Sequence, residues 1–326
     1  MKATLPDEID RPAATDPESA AFQVVLTDGT IEDLRGRGRA ELVQLQWREE
    51  RAFARRILAA PKGSAERARA VEHAYDTVTK IFAAAYVDAG KPLVMGLHPR
   101  YEKLLRRLLA AQASRGLEPR FFEIGYGSGL LLKRVSDWGF SAAGIEVSPS
   151  MHGQACRLLG PDHQVDLHLG DFLKSDFAGH RAGYTLVYWN DVFEHVPPDE
   201  ILDYLRKVHE LLVPGGQLVT ITPNWHMRPG DVTRAVCPPR TEAAGLHLKE
   251  YTLREVTGLL HKAGFARVAT PLVAVPARAL LWGRGLAGLK CRLEPWLERL
   301  PPGAARLLCR GLGLSETIAT KGGLTG

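Results

Sequence analysis

An acid and three glycines in one short run are the residues of this sequence best placed to do chemistry: Phe121-Phe122-Glu123-Ile124-Gly125-Tyr126-Gly127-Ser128-Gly129. An apolar stretch runs into a turn with glycine at alternate positions, then into an amphipathic stretch, Leu130–Trp138. Glycines in such a turn let the backbone approach a ligand closely and take positive φ angles. The spacing excludes one ligand class. A dinucleotide fingerprint places its third glycine three residues after the second. Here that position is Leu130, and the carboxylate of Glu123 stands beside the turn, where a pyrophosphate has little use for it. Two more acids follow. Glu146 ends the next strand-like run, 23 residues after Glu123, and a carboxylate at that tip suits the hydroxyls of a ribose. Asp171, in Gly170-Asp171-Phe172, can accept from an exocyclic adenine amine while Phe172 covers a ring face. Phe172 reads equally well as plain core. Together these residues ask for an adenosine-type ligand without a pyrophosphate.

A second set of titratable residues lies further on. His195 follows Glu194 after the fourth strand-like run, His226 follows the fifth in Thr222-Pro223-Asn224-Trp225-His226, and His247 stands in Gly245-Leu246-His247. Each is a candidate base near neutral pH, set against the plainer reading of a hydrogen-bonded structural histidine. Asp191, Glu194 and His195 fall at i, i+3 and i+4, so one helical turn would put them on one face. Ligands of that kind could hold Mg²⁺ or another divalent ion. A helix cap and a solvated face explain the same spacing without one and are preferred, so no metal is assigned.

The elements that must position these residues can be read from the rhythm of the chain. Ala21–Leu26 is β-like and ends at Asp28-Gly29. From Ala40 to about Val87 the pattern is helical, with Leu42, Leu45, Phe53, Ile57 and Leu58 at helical spacing and Ser64 able to cap a second helix. A third helix starts at Pro99. These helices precede the first strong strand and read as an N-terminal cap, residues 1–118, with a frayed tail over 1–20. After residue 119 strands alternate with helices. The strand-like runs are Arg120–Ile124, Ser141–Glu146, Val165–Leu169, Tyr184–Trp189, Gln217–Thr222 and Ala266–Leu272, and a helix over Pro198–Leu212 stops at Pro214-Gly215-Gly216. That order predicts an α/β, Rossmann-like doubly wound sheet of parallel strands in a domain spanning 119–326. Its last two strands, the second being Glu316–Lys321, would form an antiparallel hairpin whose connection carries a basic helical insertion over 276–312. Internal repeats are not apparent.

At these residues the sequence resembles the class I S-adenosylmethionine-dependent methyltransferases. FFEIGYGSG, the acid of GIEVS, the Asp of GDF and the run YWNDVFEHVPPDEILDYLRKVHELLVPGGQLVTITPN carry the resemblance, strongly over 119–275. DVFEHV followed by LLVPGG and TPN looks like the ubiquinone-biosynthesis-type branch of small-molecule methyltransferases. The resemblance implies S-adenosylmethionine as cofactor and S-adenosylhomocysteine as product. It implies that Glu123, Gly125, Gly127 and Gly129 shape the pocket for the methionine moiety, that Glu146 holds the ribose, and that Asp171 with Phe172 holds the adenine. Asn190 would sit beside the amino-acid part, and Arg100 or Tyr101 would reach its carboxylate from the cap. Methyl transfer from a sulfonium is an in-line displacement needing orientation and exclusion of water. A hydroxyl or ammonium acceptor must also lose a proton, which makes His195 the first candidate base, ahead of His226 and His247. Some relatives of that branch hold a metal at a Glu-x-x-Glu-His; the shorter Asp191 at the first position weakens that transfer.

The acceptor follows less directly. Asp191, Glu194, Asp199 and Glu200, with Glu242 and Glu250, make an acidic neighbourhood suited to a cationic or polyhydroxylated small molecule such as an amino sugar. For Asp199 and Glu200 the preferred reading is that they complement the N-terminus of the helix they open. Nucleic-acid methyltransferases acting on exocyclic amines carry a (D/N)PPY-type motif where this chain has Trp189-Asn190-Asp191-Val192-Phe193, so nucleic acid is disfavoured. A small-molecule acceptor in a biosynthetic pathway, secondary or antibiotic metabolism included, is the reading preferred. A quinone or phenol acceptor, or an inactive cofactor-binding scaffold, is the alternative.

Composition bounds the rest. With 326 residues, 45% hydrophobic and 24% charged, the chain can bury a sizeable core and is neither disordered nor fibrous. No apolar run approaches the ~20 residues that cross a bilayer. Four scattered cysteines form no CxxC pattern, so a reducing cytoplasm is the default. The net charge is +5, and residues 276–312 hold seven basic side chains (Arg278, Arg284, Lys290, Arg292, Arg299, Arg306, Arg310) against Glu294 and Glu298. The whole excess therefore sits in the insertion, interleaved with leucines and tryptophans. It reads as an oligomer contact, a substrate lid or a basic amphipathic face at a membrane, with the first two preferred because the apolar residues must be covered.

Overall fold

The computed structural model describes residues 22–86, 99–161, 163–177, 179, 182–275, 279–283 and 286–323. The tail expected over 1–20 lies outside them. A small antiparallel hairpin comes first, β1 (Gln23–Val25) with β2 (Ile31–Asp33), turning through Asp28-Gly29. Two long helices follow, α1 (Arg39–Ala59) and α2 (Ala65–Tyr86), and they pack along one another. Ser64 caps α2 as its type predicts, its Oγ accepting the N–H of Arg67 at 3.0 Å.

After α3 (Pro99–Ala113) the alternation read from the sequence builds the sheet. In chain order it runs β3 (Arg120–Ile124), α4 (Leu130–Asp137), β4 (Ser141–Glu146), α5 (Pro149–Leu159), β5 (Asp166–Leu169), β6 (Tyr184–Asn190), α6 (Ile201–Leu211) and β7 (Leu212–Ile221). A short turn of helix, α7 (Thr233–Val236), and α8 (Leu253–Lys262) lead to β8 (Phe265–Val275) and β9 (Ala279–Gly283). Then come α9 (Leu286–Leu293), a 3-10 turn at Glu294–Arg299, α10 (Pro302–Gly311) and β10 (Glu316–Lys321). The eight strands lie in the order β5-β4-β3-β6-β7-β10-β8-β9. The first five are mutually parallel; β10 runs antiparallel between β7 and β8, which is the expected C-terminal hairpin with its long connection.

Alternation along the central strands assigns each residue to a face. Phe122, Val187 and Leu218 pack with Leu205 and Val208 of α6 and Val256 and Leu260 of α8. Phe121, Leu186, Tyr188 and Val219 pack on the opposite face with Leu105 and Leu109 of α3, Leu132 and Val135 of α4, and Ala155 of α5. So α3, expected in the cap, lies on the sheet.

Three other expectations change. The helix expected from Pro198 starts at Ile201, because Pro197–Glu200 form a turn of their own. Pro214-Gly215-Gly216 lies inside β7, where pairing with β6 shifts register between Tyr184 and Leu186. The insertion is not helical throughout: Ala279–Gly283 is a strand paired with the outer edge of β8. A short apolar run fits strand or helix by periodicity alone, and the free edge beside it decides. The pieces after it are helical and break at Pro295 and Pro301-Pro302, as their prolines require. Arg278 and Arg284 lie outside the described residues.

Candidate active site

The loops leaving β3, β4, β5 and β6 open onto one cavity of about 1030 Å³, roofed by α1 and α2. A crevice past the carboxyl ends of parallel strands is where such sheets take ligands. One half of its wall is a continuous stretch of strand tips: Glu123, Gly125, Gly127, Glu146, Asp171, Phe172 and Asn190 all line it.

Within that half the groups are held from below. Gly127 has φ +54, and nothing lies within 4 Å of where a Cβ would project. Gly129, with φ +76, instead meets Ala155 of α5 at 2.9 Å from its notional Cβ. It sets the packing of α5 under the turn and does not line the cavity, which narrows the expectation for this glycine. Glu123 is 7% exposed, and its Oε2 has no partner among the described residues. Burial, then the nearby Glu146, hold its carboxyl well above the usual range. Glu146 accepts the N–H groups of Gly127 at 2.8 Å and of Val147 and Ser148 at 2.9 Å. Burial raises its pKa, and those three bonds oppose the rise. Asp171 Oδ1 accepts the N–H of Leu173 at 2.7 Å. Phe172 packs among Phe122, Phe177 and Tyr204 and forms wall as well as core.

The other half is assembled from distant segments. Gln46 and Glu50 of α1, Tyr75 of α2, Asp191, His195, Asp231 and His247 face the cavity there. Glu50 is buried; it accepts from Gln46 Nε2 at 2.6 Å and from the N–H of Leu246 at 3.0 Å. Burial pushes its pKa up to about 7, with Asp231 contributing. Asp231 accepts the N–H groups of Gly245 at 2.8 Å and Thr233 at 3.0 Å. Asn190 donates to Asp191 at 3.0 Å, and Asp191 lines the cavity with its side chain exposed.

The two histidines of this half differ in kind. His195 Nδ1 lies 2.8 Å from the carbonyl of Leu246. A carbonyl only accepts, so Nδ1 carries the proton and Nε2 keeps its lone pair. Burial, then the charge of His247, push the His195 pKa down to about 3. His247 stands edge-on to it at 4.8 Å between ring centres. Burial alone would lower the His247 pKa, but the bond to Glu250 at 2.8 Å and the charges of Glu194 and Glu250 carry it up to about 9. Glu194 lies behind them, fully buried, with Oε2 on the hydroxyl of Thr222 at 2.8 Å and Oε1 3.8 Å from His247. Its pKa is raised by burial. Ligand atoms of Glu194, His195 and His247 lie within 4.8 Å of one another, so Glu194 and His195 of the weighed but unassigned trio come together with His247 in place of Asp191. A divalent ion there would have to displace the His247 proton, and we assign none.

Three expected residues are placed elsewhere. Arg100 donates to Glu316 at 2.8 Å and the Tyr101 hydroxyl lies 3.1 Å from the same carboxylate, on the face of the sheet under α3. Neither lines the cavity, because α3 packs on the sheet and not over its tips. His226 contacts Glu298 at 3.0 Å and also lies outside the cavity. Asp199 and Glu200, expected to serve the start of a helix, grip the cap: Arg67 of α2 donates to them at 2.7 and 2.9 Å. Sequence reasoning missed Gln46, Glu50, Tyr75 and Asp231. A signal for two of them existed, since Gln46 and Glu50 fall at helical spacing with Leu42, Phe53 and Ile57 on the buried stripe of α1.

The class follows from a doubly wound methyltransferase-type sheet with a cavity at its strand tips. A family model described as a methyltransferase domain matches residues 96–270, and the chain belongs to that family, the class I S-adenosylmethionine-dependent methyltransferases. S-adenosylmethionine is accordingly its cofactor. Among solved structures the chain is similar to the CcbJ methyltransferase from Streptomyces caelestis, with 27% identity over 43% of this chain and 58% of that one and a TM-score of 0.36. It is also similar to the amino pentose methyltransferase of calicheamicin biosynthesis from Micromonospora echinaspora, with 25% identity over 43% and 54% and a TM-score of 0.32. A third is an N-methyltransferase from Haemonchus contortus in complex with phosphomonomethylethanolamine and S-adenosylhomocysteine, with 16% identity over 67% and 52% and a TM-score of 0.41. The chain thus spans little more than half the length of each. No curated protein matches it.

Proposed function

We propose that this protein is an S-adenosylmethionine-dependent methyltransferase whose acceptor is a small polar molecule presenting an amine, an amino sugar being the type that fits best. One observation carries the choice of amine. Glu50, Asp191 and Asp231 line the far half of the cavity with Glu194 and Glu250 behind them, and the only imidazolium among these groups is His247. Of these carboxylates Glu50, Glu194 and Glu250 are buried, which is costly against one cation, and burial raises the pKa of Glu50 and Glu194. An ammonium entering this half relieves it. The other cations of the wall do not: Arg67 is committed to Asp199 and Glu200, Lys174 donates to the carbonyl of Ser64, and Arg39 and Arg234 are solvent-exposed.

The strand-tip half fits the cofactor. The unpartnered oxygen of Glu123 suits its ammonium, Glu146 the ribose hydroxyls, Asp171 the adenine amine, and Phe172 an adjoining wall; the open space at Gly127 admits it. When bound, S-adenosylmethionine supplies an electrophilic methyl on its sulfonium. The chain supplies orientation and exclusion of water, with α1 and α2 closing the cavity over its contents. His195, held neutral, offers Nε2 as a hydrogen-bond acceptor that aligns an N–H or O–H of the acceptor. Glu50, with its pKa near 7, is suited to take the proton an ammonium must lose.

The test is transfer of radiolabelled methyl from S-adenosylmethionine to pooled amines, amino sugars included, and to pooled neutral phenols and sugars. Label in the amine pool is expected. Label confined to the neutral pool would overturn the acceptor reading, and S-adenosylhomocysteine binding without any transfer would favour a non-catalytic scaffold.

A further inference from the structure

The basic insertion takes no part in the cavity: no residue of 286–312 lines it, so the lid reading falls. What it does have is a bare outer side. Leu289, Leu293, Trp296, Leu307, Leu308 and Leu312 are all exposed, Leu307 to 72% and Trp296 to 59%. Packing is handled by other residues of the same pieces, since Leu297, Ala305 and Cys309 bury themselves against Leu253 and Leu314. Each piece therefore has two apolar sides, one covered and one not.

Charge on the uncovered side has one sign. Glu294 is buried, accepting from Asn224 Nδ2 at 2.8 Å and from the N–H groups of Leu253 and Arg254 at 2.6 and 3.1 Å. Glu298 is taken up by Arg228 and His226. Lys290 turns inward onto the carbonyls of Pro271 and Leu312. Arg292, Arg299 and Arg310 are left exposed, with no ion pair among the described residues, and Arg299 lies over the Trp296 ring at 4.2 Å. A second copy of the chain docked by this face in an isologous dimer would set these arginines against their own kind. An anionic surface attracts them.

We propose that the outer face of 286–312 docks on an anionic lipid bilayer, its leucines and Trp296 entering the headgroup boundary and its arginines meeting lipid phosphates. No helix among the described residues is long and apolar enough to cross a membrane, so this attachment is peripheral.

The experiment is co-sedimentation of the full chain with vesicles of phosphatidylcholine mixed with phosphatidylglycerol, against vesicles of phosphatidylcholine alone, with analytical ultracentrifugation of the free protein alongside. Binding to the mixed vesicles alone is expected, weakened by salt and lowered about tenfold or more by the pair Leu293→Glu and Leu307→Glu. The triple change of Arg292, Arg299 and Arg310 to Ala removes only exposed side chains and should likewise lower binding about tenfold or more while leaving the thermal midpoint and S-adenosylhomocysteine affinity unchanged. Absence of binding to mixed vesicles would overturn the proposal. So would a dimer in solution that Leu307→Glu splits into monomers, because the face would then belong to a second copy.

Discussion

The two halves of the cavity are built in opposite ways. Every residue of the cofactor half stands at the tip of a strand or in the loop that leaves it, so its position follows from sheet topology once the strands pair. The acceptor half is tied together across the chain: Glu50 reaches the N–H of Leu246, 196 residues away, and Arg67 reaches Glu200 across 133. The first half is thus set locally by the sheet, and the second depends on contacts between distant segments. Changes in the first should therefore act on cofactor affinity, and changes in the second on the acceptor.

The largest expected effect is in the cofactor half. Glu146→Ala removes the group proposed to bind the ribose and strands three backbone N–H groups, and hydrogen bonds to a charged group contribute about 1.5–3 kcal/mol. S-adenosylhomocysteine affinity by calorimetry should fall about 10- to 100-fold. An unchanged affinity would end the assignment.

Next comes a pH dependence from the acceptor half. Glu50 has its folded pKa raised from 4.5 to about 7, so the folded state holds more protons than the unfolded one in that window. Its contribution to stability is full below the unfolded value and is lost as pH rises through about 7, a loss of order 3 kcal/mol. Thermal melts of the free protein from about pH 5 to 8 should show this decline, and Glu50→Gln should make it shallower, the rest being carried by the other raised carboxyls. A wild-type and variant difference that stays constant with pH would contradict the shift. The same substitution should lower kcat/KM for an amine acceptor about tenfold, by removing a charge partner and proton acceptor.

The smallest effect sharpens the border of the site. His226→Ala should cost about 1 kcal/mol of stability through the loss of its contact to Glu298, with kcat/KM held within about twofold. A large loss of turnover would restore it as a base.

The same contrast explains what the sequence could disclose. Glu123, Glu146 and Asp171 were legible because a strand-to-helix turn has its own local signature, and parallel strands bring such turns to one edge. Strand β9 was not, since five apolar residues carry no decisive period. Nor was Arg100's partner, because its pairing with Glu316 depends on where the last strand inserts, beside β7. Gln46 and Glu50 interrupt an apolar helical stripe, a visible anomaly whose meaning needed the 230–250 segment folded beside it.

The most direct test of a divided cavity is one calorimetric series: S-adenosylhomocysteine titrated into wild type, Glu146→Ala and Glu50→Gln. The division predicts loss of affinity in Glu146→Ala and affinity within about threefold of wild type in Glu50→Gln. Equal losses in both variants, or a loss only in Glu50→Gln, would contradict it.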